Sequence, residues 1–376
     1  MSKLRSAAAI VAIWAALTGR APAMPPFAQA YGAKCTLCHL QVPALNAFGR
    51  YVQRMGYSVL DHARLERSQP LWLGFNPSFD SQSDTSPHHL QFGNVAIHAV
   101  GMLSPNVTYH IQQWIRQDGQ AGGLDTAWFA FNNLFDRNGH LFAGKIEAPA
   151  PSPYSQWFDL ASFAAPEITV GEHAYQLDNN RWGMRLAYIH DSLDAEAGWL
   201  GSNGDLSGAG DFSNNTDKTL QWKLAYATPA NPLEFGIFGS RGALHLTEGG
   251  TDQYHSIAGY VERDPTAKWP GFFASYQRAF DSNPGGGMPS ASSSALTLEV
   301  YKTILHDNGI VGIRREFTND GLGTLQQTGN VDFEYHIARF LHAYVETYTQ
   351  QHAKLGYRYM LWWTVPFERS SAVTPP

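Results

Sequence analysis

From about Leu71 onward the chain repeats one pattern. Segments roughly ten residues long alternate apolar and polar residues with a period of two. In "RWGMRLAYI", Trp182, Met184, Leu186 and Tyr188 share one face, and Arg181, Gly183, Arg185 and Ala187 the other. In "LQWKLAYA", Leu220, Trp222, Leu224 and Tyr226 oppose Gln221, Lys223 and Ala225. "VDFEYHI" sets Val331, Phe333, Tyr335 and Ile337 against Asp332, Glu334 and His336, and "GYRYMLWWTVPF" lines up Tyr357, Tyr359, Leu361, Trp363, Val365 and Phe367. That period belongs to strands, because successive side chains of a strand point to opposite faces of a sheet. A composition of 13% aromatic residues with 35 glycines suits strands joined by tight turns.

About 14 to 18 such segments can be counted, and sixteen is the even number that fits best. Short turns such as "DRNGH" (Asp136–His140) alternate with longer Gly/Ser/Asn stretches, "GSNGDLSGAGDFSNNTD" (Gly201–Asp217) and "DSNPGGGMPSASSS" (Asp281–Ser294). Short connections at one end and long loops at the other are the habit of outer-membrane barrels. Arg185, Lys223, Glu299, Glu334, Glu346 and Arg358 place full charges inside the polar faces, where a water-filled lumen would accept them. Tyrosines and tryptophans recur towards segment ends, as girdle residues do, and closure removes the edges that so large a sheet would expose. A soluble β-sandwich with the apolar face as its core has the same alternation and is the competing fold. Each inward charge also has a plain reading as a lumen-filling ion pair, and "SPHHL" at His88–His89 as a solvated loop.

The amino terminus predicts export. Lys3 and Arg5 precede the apolar run Ala7–Leu17, which is too short to span a bilayer, and "APA" at Ala21–Ala23 offers a cleavage site. Residues 1–23 thus read as a signal peptide. No later segment has the roughly 18 consecutive apolar residues of a membrane helix. The net charge of -6 includes no long basic block, which leaves nucleic-acid binding without support.

Both cysteines of the chain fall in "CTLCH". This CxxCH motif predicts one covalently attached haem c, with thioether bonds from Cys35 and Cys38 and His39 as proximal iron ligand. A CxxC redox pair, a zinc site and chance are the alternatives. Pro43 can start a helix, and Ala44 to Arg54 is periodic, with Leu45, Phe48, Val52 and Met55 near one face and Gly56 to end it. Met55 is therefore the candidate distal ligand and His62 the runner-up, against a reading in which the one only packs and the other is solvated. Residues 24–70, a small α-helical c-type cytochrome domain, are few to cover a haem, so the β-region 71–376 is expected to shield it.

"FAQAYGAKCTLCHLQVPALNAFGRYVQRMGY", followed by a porin-like β-region, resembles the fused outer-membrane cytochrome–porins, whose best-known members are iron oxidases. The likeness covers Phe27–Tyr57: an aromatic-Gly lead-in, CxxCH and a "PxLNxFG" run ending in Gly-Tyr. It implies a monohaem domain tucked into a barrel of about sixteen strands, taking electrons from outside donors such as ferrous iron. A hydrocarbon layer about 30 Å thick is too wide for one haem to bridge by relay. A haem-bearing segment that plugs the lumen would solve this, with a donor reaching the outer mouth and a periplasmic c-type cytochrome or similar carrier collecting the electron. The expected function is an outer-membrane electron conduit, a ferrous iron:cytochrome c oxidoreductase by outer-sphere transfer. The alternative is a diffusion porin with a structural or redox-sensing haem plug.

Overall fold

The computed structural model describes residues 25–40, 42, 44–66, 68–81, 91–117, 120–149, 151, 168–175, 180–201, 218–247, 249–306, 308–338, 340–350 and 355–367. The signal-peptide region, Pro43, His88–His89 and most of the 201–217 stretch lie outside them. Among the described residues the main sheet has seventeen strands, one of them the two-residue piece Gln120–Ala121, which leaves sixteen long ones. In chain order these are β1 (Leu71–Asp80), β2 (Gln91–Ser104), β3 (Val107–Gln117), β4 (Leu124–Leu134), β5 (Gly139–Ile146), β6 (Arg181–His190), β7 (Leu193–Gly201) and β8 (Lys218–Tyr226). They continue as β9 (Leu233–His245), β10 (Thr251–Arg263), β11 (Gly271–Asp281), β12 (Ala291–Ile304), β13 (Gly309–Asn319), β14 (Leu325–Ala338), β15 (Leu341–Gln350) and β16 (Gly356–Pro366). Each pairs antiparallel with the next, and β1 pairs with both β2 and β16, so the sheet closes.

The alternation sorts the side chains as a membrane barrel requires and as a soluble sandwich would not. Leu186, Leu220, Leu224, Ile313, Val331 and Trp363 are exposed on the outside. Asp194, Glu196, Lys223, Glu299, Arg314 and Glu346 are buried on the inside. These inward charges form pairs: Lys223 with Asp194 at 2.9 Å and Glu196 at 2.5 Å, Arg185 with Glu196 at 3.3 Å, and Arg358 with Glu346 at 3.5 Å.

Connections at one end are short, at 105–106, 135–138, 191–192, 227–232, 264–270, 305–308 and 339–340. Those at the other end include 147–180 and 282–290. Short turns mark the periplasmic end of an outer-membrane barrel. In the 135–138 turn, Phe135, Asp136 and Arg137 all take positive φ.

Three short helices precede the barrel among the described residues: α1 (Pro25–Tyr31), α2 (Ala47–Arg54) and α3 (His62–Leu65). The segment around α2 touches strands on all sides of the sheet: Arg50 meets β9 and β10, Arg54 meets β7, Tyr57 meets β3 and β4, and Tyr344 of β15 donates a hydrogen bond to the Val42 carbonyl. Only a segment inside the barrel can do this. Helix α2 therefore plugs the lumen at the short-turn end, where its partners Thr108, Asp194, Glu234 and Asp264 sit.

The plug is amphipathic in an unusual way. Val52 and Met55 join Tyr57, Trp72, Val100, Trp128 and Phe142 in an apolar cluster against β1–β5. On the opposite face, four residues apart, Arg50 and Arg54 point at acids. Arg50 is fully buried and donates to Glu234 at 3.2 Å, Glu262 at 2.8 Å and Asp264 at 2.9 Å. Arg54 reaches Glu234 at 2.9 Å and Asp194 at 3.3 Å. Burial alone would lower the pKa of both guanidiniums, but the surrounding carboxylates raise them above the ordinary arginine value, so both stay charged.

The helix starts later than its sequence periodicity predicts. It begins at Ala47, not Ala44, because Leu45 bridges back to His39 and Asn46 caps the first turn, accepting the Gly49 N–H at 2.9 Å. Gly56 (φ +54) and Tyr57 (φ 64) end it.

Removing one partner of a buried ion network costs about 3–5 kcal/mol, because the remaining charges are left uncompensated. Arg50→Leu is expected to undock the plug while the barrel stays closed. Proteolysis should then cleave within residues 58–70, and single-channel conductance should rise above that of the unaltered protein.

Candidate functional site

The CxxCH residues form a tight turn held by backbone bonds. Cys35–Leu37 is a 3-10 turn in which the Cys35 carbonyl accepts the N–H groups of Cys38 at 3.2 Å and His39 at 3.0 Å. Asn46 then ties this turn to α2. Its side-chain amide donates to the carbonyls of Thr36 at 3.2 Å and Leu37 at 3.1 Å, and its backbone N–H donates to the Cys38 carbonyl at 2.9 Å. A Cβ on Gly49 would lie 2.0 Å from that same carbonyl oxygen, so only glycine lets helix and turn approach. The Asn and Gly of the "LNAFG" run are thus the clamp that seats the motif.

Above the turn lies a cavity whose volume open to the centre of a water molecule is about 310 Å³, within the range of small-molecule sites. Cys38, His39 and Phe48 form its plug side. Trp72, His98 and His110 form the barrel side, from β1, β2 and β3. His98 stacks on Trp72 with ring centroids 4.7 Å apart and planes 7° from parallel. His110 contacts the Tyr57 hydroxyl through Nδ1 at 3.3 Å, while its buried Nε2 has no hydrogen-bond partner.

These residues fit a haem. The Cys38 thiol lines the cavity with Cys35 buried in the same turn, His39 lies on the thiol side, and the His110 Nε2, without a hydrogen-bond partner, lies on the opposite wall. They fit a thioredoxin-type pair poorly. Burial and the neighbouring Cys35 push the Cys38 thiol up to about 11, whereas redox-active pairs have a lowered pKa. For zinc, neither cysteine belongs to a ligand group among the described residues.

The sequence-derived distal candidates lie elsewhere. Met55 is in the apolar cluster and not among the residues lining the cavity. His62 faces Glu66 at 3.6 Å, one helical turn on. His98 and His110 were legible only as polar positions on the inward phase of β2 and β3. The arginine–acid network was readable in part, since Arg50 and Arg54 stand four residues apart opposite the apolar face.

Several solved structures share this fold. An anion-selective porin from Comamonas acidovorans superposes with a TM-score of 0.57 at 10% sequence identity, over 79% of this chain and 98% of that one. The trimer form of OmpT, an outer-membrane protein of Vibrio cholerae, gives 0.54 at 12% identity, over 78% and 98%. The chain has the fold of an outer-membrane porin. Pseudomonas putida OprB agrees, with 0.52 at 10% identity over 80% and 95%. No protein-family model matches the chain, and no curated protein does. At such identities the likeness is one of fold, and it bears on the barrel rather than on the CxxCH turn.

Gly49→Ala is expected to push the turn off α2 and, if the turn carries a haem, to cut its covalent incorporation severalfold, read as haem absorbance per polypeptide, with barrel folding unchanged. In protein made without haem, Cys38 stays protonated below a pH of about 11, so its alkylation by iodoacetamide should be slow at neutral pH and speed up as the pH approaches that value.

Proposed function

We propose that the protein is an outer-membrane electron conduit, carrying one covalently attached haem c inside its lumen. The observation that carries this reading is the placement of the CxxCH turn: it is clamped to a helix that is itself fixed inside the barrel, beside a cavity lined by aromatic rings and histidines. Cys35 and Cys38 would hold the group by thioether bonds and His39 would be its proximal ligand. His110, whose Nε2 has no hydrogen-bond partner, is the wall residue suited to be a second iron ligand, and His98 stacks on Trp72 in the same wall. When bound, a haem supplies reversible one-electron exchange at the iron.

The chain's own residues do the rest. Trp72, Phe48 and Val52 surround the cavity with apolar surface and limit water, which helps set the potential of such a group. Arg50 and Arg54 fix the plug so that the cavity has one position in the lumen. Porin-type neighbours support an outer-membrane location, with lipid against the exposed leucines and aromatics. A donor, for which ferrous iron is the first candidate, would enter from the long-loop end, and a periplasmic c-type cytochrome or similar carrier would meet the short-turn end.

Reconstitution into liposomes with external ferrous iron and internal cytochrome c tests the proposal. Internal cytochrome should become reduced in wild type and stay oxidised in Cys35→Ser/Cys38→Ser. No reduction in haem-loaded wild type with any outer donor would overturn it. The second reading, a diffusion porin with a haem plug, draws on the porin neighbours. It predicts solute conductance that is the same in oxidised and reduced protein, and no electron transfer.

The second iron ligand is testable separately. Met55→Leu should leave the reduction potential and the haem spectrum unchanged. His110→Ala should shift ferric haem towards a high-spin spectrum, with haem still covalently bound. Methionine ligation raises the potential relative to a second histidine, so a low potential is expected in the wild type.

A further inference from the structure

Many of the buried carboxylates in the lumen are held by an arginine or lysine. Glu234 and Glu262 face Arg50, Asp194 and Glu196 face Lys223, Glu299 and Glu316 face Arg314, and Glu346 faces Arg358. Glu334 is different. It is fully buried, and its ion-pair partners among the described residues are two histidines.

The three groups converge through the β14–β15 hairpin, whose strands meet at the Ala338–Leu341 pair. His336 and His342 stand opposite each other in register, and Glu334 lies two residues before His336 on the same lumen face. His342 Nδ1 is 2.7 Å from Glu334 Oε1, and His336 Nε2 is 3.4 Å from it. The imidazole centroids are 4.3 Å apart, and one ligand atom from each residue lies within 4.8 Å of the others. Glu334 Oε2 is buried without a hydrogen-bond partner. The side chain of His336 is 15% exposed, so the group is reachable from one side.

We propose that Glu334, His336 and His342 bind a divalent first-row transition-metal ion. Two histidines and one carboxylate on one side of an ion leave its remaining positions open, a donor set that suits ferrous iron and also accepts cobalt and zinc. The ion would supply the positive charge that Glu334 lacks. The group also borders the candidate haem cavity: His342 pairs in register with Trp362, which lines that cavity, and Tyr344, two residues on, holds the Val42 carbonyl of the plug. The group lies near the short-turn end, opposite the mouth where a donor would enter, so the site is distinct from a donor's path. Binding itself requires no haem.

A second cluster, His173 with Asp252 and Asp281, is less suited. His173 is enclosed between the rings of Tyr175 and Tyr254, with centroids at 4.1 Å and 3.9 Å. Tyr175 donates to Asp281 at 3.0 Å and Asn283 to Asp252 at 2.9 Å, so these acids already have donors.

Calorimetric titration of the haem-loaded, tag-free protein in detergent micelles with Co2+ tests the site. One saturable site is expected. His342→Ala and Glu334→Gln should each weaken it by at least about 10–100-fold, the scale on which perturbing a metal site acts, while His173→Ala binds as wild type. Heat-resistant migration of the barrel controls for folding. No saturable binding in wild type, or binding unchanged in both His342→Ala and Glu334→Gln, would overturn the proposal. Ferrous-iron reduction of the haem, measured on the same variants, is expected to match wild type, so loss of metal binding and loss of conduction are read separately.

Discussion

Arg50 is the fixed point of this molecule. A guanidinium taken wholly out of water is tolerated only where its charge is met on several sides, and here Glu234, Glu262 and Asp264 do so from adjoining wall segments. The contact works in both directions. Without the arginine, three acids would share one corner of a confined lumen. Without the acids, the helix could not carry a charge into it. The location of the CxxCH turn, the shape of the cavity above it and the closure of the short-turn end all follow from that one docking geometry.

The lumen wall is divided to match. Strands β1–β5 present Trp72, Val100, Trp128 and Phe142, and β7–β10 present Asp194, Glu196, Lys223, Glu234 and Glu262. A helix with Val52 and Met55 on one side and Arg50 and Arg54 on the other has a single rotational setting in such a tube. Burial of a large apolar side chain contributes about 1.5–3 kcal/mol, so the apolar face fixes the depth and tilt, and the charged face fixes the rotation. This division explains why so short a segment can be held without a core of its own.

The barrel was legible because its signal is periodic and repeated. The face assignments made for "RWGMRLAYI", "LQWKLAYA" and "VDFEYHI" agree with the observed burial through the middle of each strand. Burial stops discriminating at Trp182–Gly183, and at His336–Ile337, where the register shifts. The plug was legible only locally. The start of α2 was set by Asn46 and by the Leu45–His39 bridge, and neither contact leaves a trace in hydrophobic periodicity. His98 and His110 were harder still. Their meaning comes from facing a cavity whose opposite side, Cys38 and His39, is at least 59 positions away, and a single imidazole in a strand is silent about what stands opposite. Glu334, His336 and His342 were visible as polar positions of one segment and its neighbour, but that their charge is met by no arginine became apparent only once the other lumen acids had been paired.

The seam of the barrel has one further consequence. Strands β1 and β16 pair along Trp72–Pro366 and Gly74–Thr364, and both contribute to the cavity wall, through Trp72, Gly74 and Asn76 on one side and Trp362 and Thr364 on the other. That wall is therefore complete only once the two ends of the sheet have paired. If the conduit reading holds, a haem attached at the CxxCH turn would be shielded on this side only after that pairing. Assembly order, and not merely final geometry, is written into where the ends of the sheet meet.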